Sequence, residues 1–96
     1  GGGVALLIRK DISFETINTT NDQQREIVGV RIHVNSKVLD IYSLYNPPKT
    51  ILDRNLLEGI FSNNNNFILC GDLNAIINSN KKNRNGHILL DVLQTN

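Results

Sequence analysis

Phe67-Ile68-Leu69-Cys70-Gly71-Asp72-Leu73-Asn74-Ala75 is the stretch on which the reading of this chain turns. Its first four residues are short, apolar and β-prone, which reads as a buried strand. Gly71 then frees the backbone, and Asp72 and Asn74 follow with one residue between them. In an extended segment alternate residues point to the same side, so both polar side chains are expected to face one way at a strand exit. Strand exits are where open α/β sheets place ligands. A carboxylate beside a carboxamide suits phosphodiester hydrolysis: one group orients water and accepts its proton, the other donates to a phosphoryl oxygen.

Upstream, an apolar run from Val38 closes at Leu44-Tyr45-Asn46-Pro47-Pro48. The two prolines must end that strand, because neither donates to a ladder. Ile27–Val34 alternates, with Val28, Val30, Ile32 and Val34 on one face and Gly29, Arg31 and His33 on the other. Asn35-Ser36 links it to the β-prone run Lys37–Leu44, which predicts a hairpin. Val4–Ile8 reads as a further buried strand, Ser13–Ile17 as a short edge strand and Thr19–Gln24 as a loop. Leu52, Leu56, Leu57 and Ile60 recur at helical spacing, predicting a helix over Ile51–Phe61 with Thr50 and Asp53 as a weak capping box. Asn63–Asn66 is a homopolymeric loop that reads as compositional bias. After the polar stretch Asn78–Arg84, Asn85-Gly86 is expected to turn the chain, and Leu89, Val92 and Leu93 to begin a second helix.

Bulk properties narrow the classes. Ninety-six residues allow one domain at most. Ten Lys and Arg against nine Asp and Glu give a net charge of +1, so any nucleic-acid contact must be local. The one basic cluster is Lys81-Lys82-Asn83-Arg84, whose alternative is a solvated loop. A single cysteine excludes an internal disulfide framework and fits a reducing compartment. No apolar run approaches a membrane span, so the expectation is a soluble intracellular protein, nuclear or cytoplasmic, with no membrane partner. Cys70 as a nucleophile with His33 or His87 lacks the partner context a thiolate requires. Metal spacings of the H-x-x-x-H or C-x-x-C kind are absent from the sequence.

Tyr45-Asn46-Pro47-Pro48 followed by Gly71-Asp72-Leu73-Asn74-Ala75 resembles, in that order, the Y-x-P-P-like and G-D-x-N-A motifs of the endonuclease/exonuclease/phosphatase superfamily. Within it, the chain is most similar to the apurinic/apyrimidinic-endonuclease-like domain of non-LTR retrotransposons. Those domains commonly carry G-G-G-V-A-[IL]-L-[IV]-R, as Gly1 to Arg9 do, and a turn ahead of a leucine-rich helix, as Asn83 to Gly86 do. The resemblance implies an α/β fold, residues 1–96 forming roughly the central half of a two-layer sandwich with mixed β-sheets. Such domains take about 200–250 residues, and a chain with no methionine that opens on three glycines is expected to be an internal fragment. Half a sandwich leaves one apolar sheet face uncovered.

By resemblance, Asp72 would position and deprotonate the attacking water, and Asn74 would hold a phosphoryl oxygen as charge builds. The Tyr45 hydroxyl would lie at the scissile phosphate, and Lys81, Lys82 and Arg84 would contact nucleic acid. The alternative for Asp72 is an ordinary turn cap, and for Tyr45 an amphipathic strand-end residue. The implied function is Mg²⁺-dependent nicking of target DNA in an intact parent that also carries a reverse-transcriptase domain. Same-fold alternatives are an exonuclease, an abasic-site endonuclease or a phosphatase; a different class is a non-catalytic remnant of a decayed element. The family's metal-binding Asn and Glu and its C-terminal S-D-H have no counterpart in these residues. Ile76-Ile77 and the lack of tryptophan also depart from many relatives. The principal Mg²⁺ ligands are therefore expected outside this chain, which alone is expected to be inactive.

Overall fold

The computed structural model describes residues 4–19, 26–63, 65–77 and 81–95. Gly1–Gly3, most of the expected Thr19–Gln24 loop, Asn64 and residues 78–80 of the polar stretch lie outside the described residues. The elements run β1 (Ser13–Ile17), β2 (Glu26–Val34), β3 (Lys37–Tyr45), α1 (Arg54–Phe61), β4 (Asn66–Asp72) and α2 (Arg84–Thr95). They make a mixed four-stranded sheet in the order β1-β2-β3-β4 with two helices, an α/β arrangement of the expected class. β1, β2 and β3 pair antiparallel, whereas β4 joins β3 in parallel after the α1 crossover.

The hairpin forms because Asn35 and Ser36 both take positive φ, 52° and 63°. That is the left-handed backbone region that a two-residue link needs to match the right-handed twist of its strands, and asparagine tolerates it better than most residues. The resulting register pairs Ile27 with Leu44, Gly29 with Tyr42 and Arg31 with Asp40. These residues therefore share one sheet face. Ile27, Tyr42 and Leu44 pack there with Ile60 of α1, while Leu57 of α1 meets Val92 of α2 and Leu52. Burying a side chain such as Leu57 completely is worth about 1.5–3 kcal/mol. Both helices thus cover the face that carries Arg31, not the Val28–Val34 face. The latter is only partly covered: Val30 is buried, but Phe14, Val34 and Ile68 are each about half exposed.

Three expectations are corrected. No strand forms over residues 4–8, where Leu7 is 99% exposed. Apolar side chains do not make a strand without a neighbour's backbone groups, and β1 remains the end of the sheet. Helix α1 begins at Arg54, because Asp53 and not Thr50 is its cap: Asp53 accepts from Leu56 N at 3.2 Å. Leu52, just before the cap, packs in one buried cluster with Leu57, closing a hydrophobic staple. Asn85-Gly86 is not a turn ahead of α2 but part of its first turn.

Nor is the asparagine tract only compositional. Asp40 is fully buried and accepts a fork from Arg31, Nε to Oδ1 at 2.8 Å and Nη2 to Oδ2 at 3.1 Å. Asn63 Nδ2 adds a bond to Oδ2 at 3.1 Å, and Asn65 Nδ2 approaches the same oxygen at 3.5 Å. The Arg31 guanidinium, with these amides, holds the Asp40 carboxyl below its ordinary 3.8, and the carboxylate raises Arg31 in turn. A carboxyl depressed in the folded state stabilises the fold above its unfolded value and ceases to do so as pH falls through the folded one.

Melting temperature is therefore expected to fall as pH drops below 3.8, and that acid-sensitive component should vanish in Asp40→Asn. At neutral pH the same substitution should cost about 2 kcal/mol, measured by denaturant melts. On the partly covered face, Phe14→Thr with Ile68→Thr should lower hydrophobic-dye binding without lowering the melting temperature.

Candidate active site

The parallel pairing of β3 with β4 runs to Tyr45 opposite Asp72. One further bond, Asn46 N to Asp72 O at 2.8 Å, carries the ladder past both strand ends. The chain then diverges. Pro47–Thr50 closes a turn, Thr50 N to Pro47 O at 3.1 Å, with Lys49 at φ 68° in its third position. On the other branch, Gly71 holds φ 124°, and a Cβ there would stand 2.0 Å from Leu44 O. Only glycine lets β4 leave β3 at this point.

Asp72 and Asn74 do not follow an extended path. Asn74 sits at φ 50°, and its N–H donates to Asp72 Oδ1 at 3.0 Å. The aspartate caps its own turn, the structural role open to it from the start. The common direction expected from β alternation is therefore replaced by a tight bend. Asn74 turns its Nδ2 onto Asn46 O at 2.5 Å, which ties the two strand exits together.

Four asparagines stitch this end of the molecule. Asn46, fully buried, donates Nδ2 to Thr50 O at 2.7 Å and more weakly to Leu73 O at 3.4 Å. Its Oδ1 is a buried oxygen with no hydrogen-bond partner. Asn85, also buried, accepts from Leu52 N at 2.7 Å and donates to Thr50 O at 2.8 Å and Asn74 O at 3.3 Å. Asn83 Oδ1 accepts from Gly86 N at 2.8 Å and Ile76 N at 2.9 Å, while its Nδ2 donates to Asn74 O at 2.9 Å. The bond to Gly86 N is an N-cap for α2. A Cβ on Gly86 would lie 1.8 Å from Ile76 O, so α2 meets the β4 exit backbone to backbone.

Between these loops lies a groove of about 920 Å³, walled by Pro48–Ile51, by Gly71–Ile76 and by Asn83–Asn85 with Leu89. It brings together Asp72, Asn74 and Arg84. Tyr45 is half-buried beside Asp72 in the sheet but does not line the groove, and Lys81 and Lys82 are exposed outside its walls. Cys70, expected to be a buried small hydrophobe, is exposed on β4, its Sγ 3.2 Å from Tyr42 O. His33 and His87 are exposed and line no part of the groove. Sequence reasoning missed Lys49, Asn46 and Asn85. It also treated Asn83 as part of a turn, although an asparagine three residues ahead of Gly86 has N-cap spacing.

Among the described residues Asp72 is the only carboxylate lining the groove, and one of its oxygens already serves Asn74 N–H. No group of three or more His, Cys, Asp or Glu converges among the described residues. This donor set is of hard oxygens, but alone it does not enclose a cation. The chemistry these residues can perform unaided is to hold water against Asp72 Oδ2 and to donate the second Nδ2 hydrogen of Asn74.

A family model described as the Endonuclease/Exonuclease/phosphatase family matches residues 1–90. No curated protein and no solved structure matches the chain. No helix of the described residues is long and apolar enough to cross a membrane.

Asn85→Ala is expected to destabilise the chain by about 1–3 kcal/mol, since it strands the buried Leu52 N–H. Gly86→Ala should cost at least as much through the Ile76 O clash. Urea melts with a common slope would measure both.

Proposed function

The chain belongs to the endonuclease/exonuclease/phosphatase family, a nuclease- or phosphatase-type assignment, and on that premise we propose that it is part of a retrotransposon-type DNA endonuclease domain. The observation that carries this reading is the convergence of Asp72, Asn74 and Arg84 on one groove at the exits of the parallel pair β3/β4. Three residues separated in sequence and chemically matched to a phosphodiester share one surface. Gly1–Arg9 and Tyr45-Asn46-Pro47-Pro48 support the retroelement subfamily over other family members.

In this mechanism Asp72 keeps Oδ1 on the Asn74 N–H, which fixes the carboxylate plane. The free Oδ2 orients a water and accepts its proton as the water attacks phosphorus. The bond to the 3′ oxygen breaks, and that oxygen leaves as a hydroxyl once it takes a proton from solvent. Asn74, anchored through one Nδ2 hydrogen to Asn46 O, presents the other to a nonbridging oxygen as negative charge grows. Anchoring matters because a donor already in place costs no reorganisation at the moment of reaction. Tyr45 stands next to Asp72 across the ladder, outside the walls of the groove; its hydroxyl is proposed to reach the phosphate from beyond them. Arg84, with Lys81 and Lys82 farther along the strand's path, neutralises flanking phosphates.

The family is generally metal-dependent. Mg²⁺ is the proposed cofactor, held chiefly by ligands beyond these residues; when bound it supplies Lewis-acid polarisation of the phosphate. The proposed partners are the DNA target and a reverse-transcriptase domain of the same parent polypeptide.

The test is plasmid nicking by the intact parent. Asp72→Ala should abolish nicking with DNA affinity nearly unchanged, because the carboxylate acts in the transition state. Asn74→Ala should slow turnover by about 10²–10³, and Tyr45→Phe should lose only part of the rate. Single-turnover rates that survive Asp72→Ala would leave Asp72 as a turn cap and nothing more.

A further inference from the structure

Two cations that line the groove sit where the local backbone does not favour them. Lys49 occupies the third position of the Pro47–Thr50 turn at φ 68°. With proline before it, that position calls for glycine or asparagine, and a lysine there is strained by its own Cβ. Arg84 is the first residue of α2, whose first turn holds no acidic residue. A helix N-terminus is the positive end of the macrodipole, so a cation there is repelled.

Neither cation is compensated among the described residues. Arg9 pairs with Asp11, Arg31 with Asp40 and Glu15, and Arg54 with Asp91. Among the described residues, Lys49 and Arg84 have no carboxylate within ion-pair distance. The segments that carry them are nevertheless tied together. Asn85 Nδ2 bonds Thr50 O at 2.8 Å, and Arg84 and Lys49 are the residues immediately before that bridged pair. Two unpaired positive charges, each locally unfavourable and both lining one groove, are what an anion between them would reward.

We propose that Lys49 and Arg84 form a two-walled clamp for a backbone phosphate flanking the one addressed by Asp72 and Asn74. Lys49 is then a binding residue contributed by the Pro47-Pro48 turn, a segment that otherwise only redirects the chain. The identity of the anion, a phosphodiester of DNA, rests on the nuclease reading; the clamp itself does not.

The experiment uses the 96-residue chain, a fluorescently labelled DNA duplex and, in a separate arm, inorganic phosphate. Lys49→Asn suits the turn, so its melting temperature should hold or rise. Its DNA affinity should fall roughly tenfold at about 50 mM salt, and its salt slope should flatten by about 0.9, the value for one phosphate contact. Lys49→Arg keeps the charge and should bind as the wild type does. Lys49→Asn combined with Arg84→Gln should lower affinity further without flattening the slope beyond about 0.9, because both cations hold the same phosphate. Lys37→Asn is the control, because Lys37 begins β3 roughly 25 Å from its site end. It should bind unchanged.

Binding of inorganic phosphate that needs Lys49 and Arg84, with no binding of DNA, would uphold the clamp and overturn the diester as its ligand. Loss of affinity in Lys49→Asn no greater than in Lys37→Asn, or no binding of either probe by the wild type, would overturn the clamp. Retention of nicking by an Asp72→Ala parent would bear on the catalytic reading alone.

Discussion

Two backbone carbonyls, Thr50 O and Asn74 O, lie outside every strand and helix, and the site end of the molecule is organised around satisfying them. Each receives two side-chain amide donors, Thr50 O from Asn46 and Asn85, and Asn74 O from Asn83 and Asn85. A carbonyl withdrawn from water without a donor is costly, so the loops must approach whatever supplies one. Asparagine is suited to the task because one short side chain both donates and accepts. Asn85 uses both ends at once, taking Leu52 N–H on its oxygen while its nitrogen bridges two loops. The groove is the space left between loops whose separation these amides set.

The same device recurs at the other end of the β3-α1-β4 unit. There Asn63 and Asn65 face the buried Asp40 carboxylate, which already carries the Arg31 fork. The crossover is thus tied where it leaves β3 and where it returns to β4. A parallel pair depends on such ties more than a hairpin does, because its connection is long and the ladder itself does not fix it. The two ends differ in chemistry. The Asp40 end is a closed ion-pair network, with each oxygen of the carboxylate taken, whereas the Asp72 end leaves an oxygen and two cations facing solvent. That difference separates a site that holds structure from one able to hold a ligand.

Strands and the hairpin were legible because their rules are local: alternation in β2, the Asn35-Ser36 link, and prolines that end β3. Val4–Ile8 was misread because a strand is a property of two segments, and composition reports only one. The helix starts were off by a few residues because caps depend on which side chain reaches the third N–H, a matter of φ and ψ. At the site, the aspartate and asparagine pair was visible from its spacing, but its geometry was not, since extended alternation fails once Asn74 turns left-handed. Asn46, Asn63 and Asn85 were hidden for another reason. Their partners lie elsewhere in the chain, as with Asn85 and Leu52, and an asparagine-rich composition masks the few whose amides are used.

Asn85-Gly86 also gives the fold a chemical clock. Asparagine followed by glycine is the dipeptide in which the backbone nitrogen attacks the side-chain carbonyl most readily, releasing ammonia and leaving a cyclic imide that water opens to aspartate or isoaspartate. In the folded chain that nitrogen is held on Asn83 Oδ1, and the Asn85 carbonyl is held on Leu52 N–H. The reacting atoms are kept in helical geometry and cannot close the ring. Each excursion to the unfolded state releases them. Once the amide becomes a carboxylate, an oxygen replaces the donor that faced Thr50 O and Asn74 O, and the loops repel where they were joined. Damage of this kind accumulates with each opening and is not reversed by refolding.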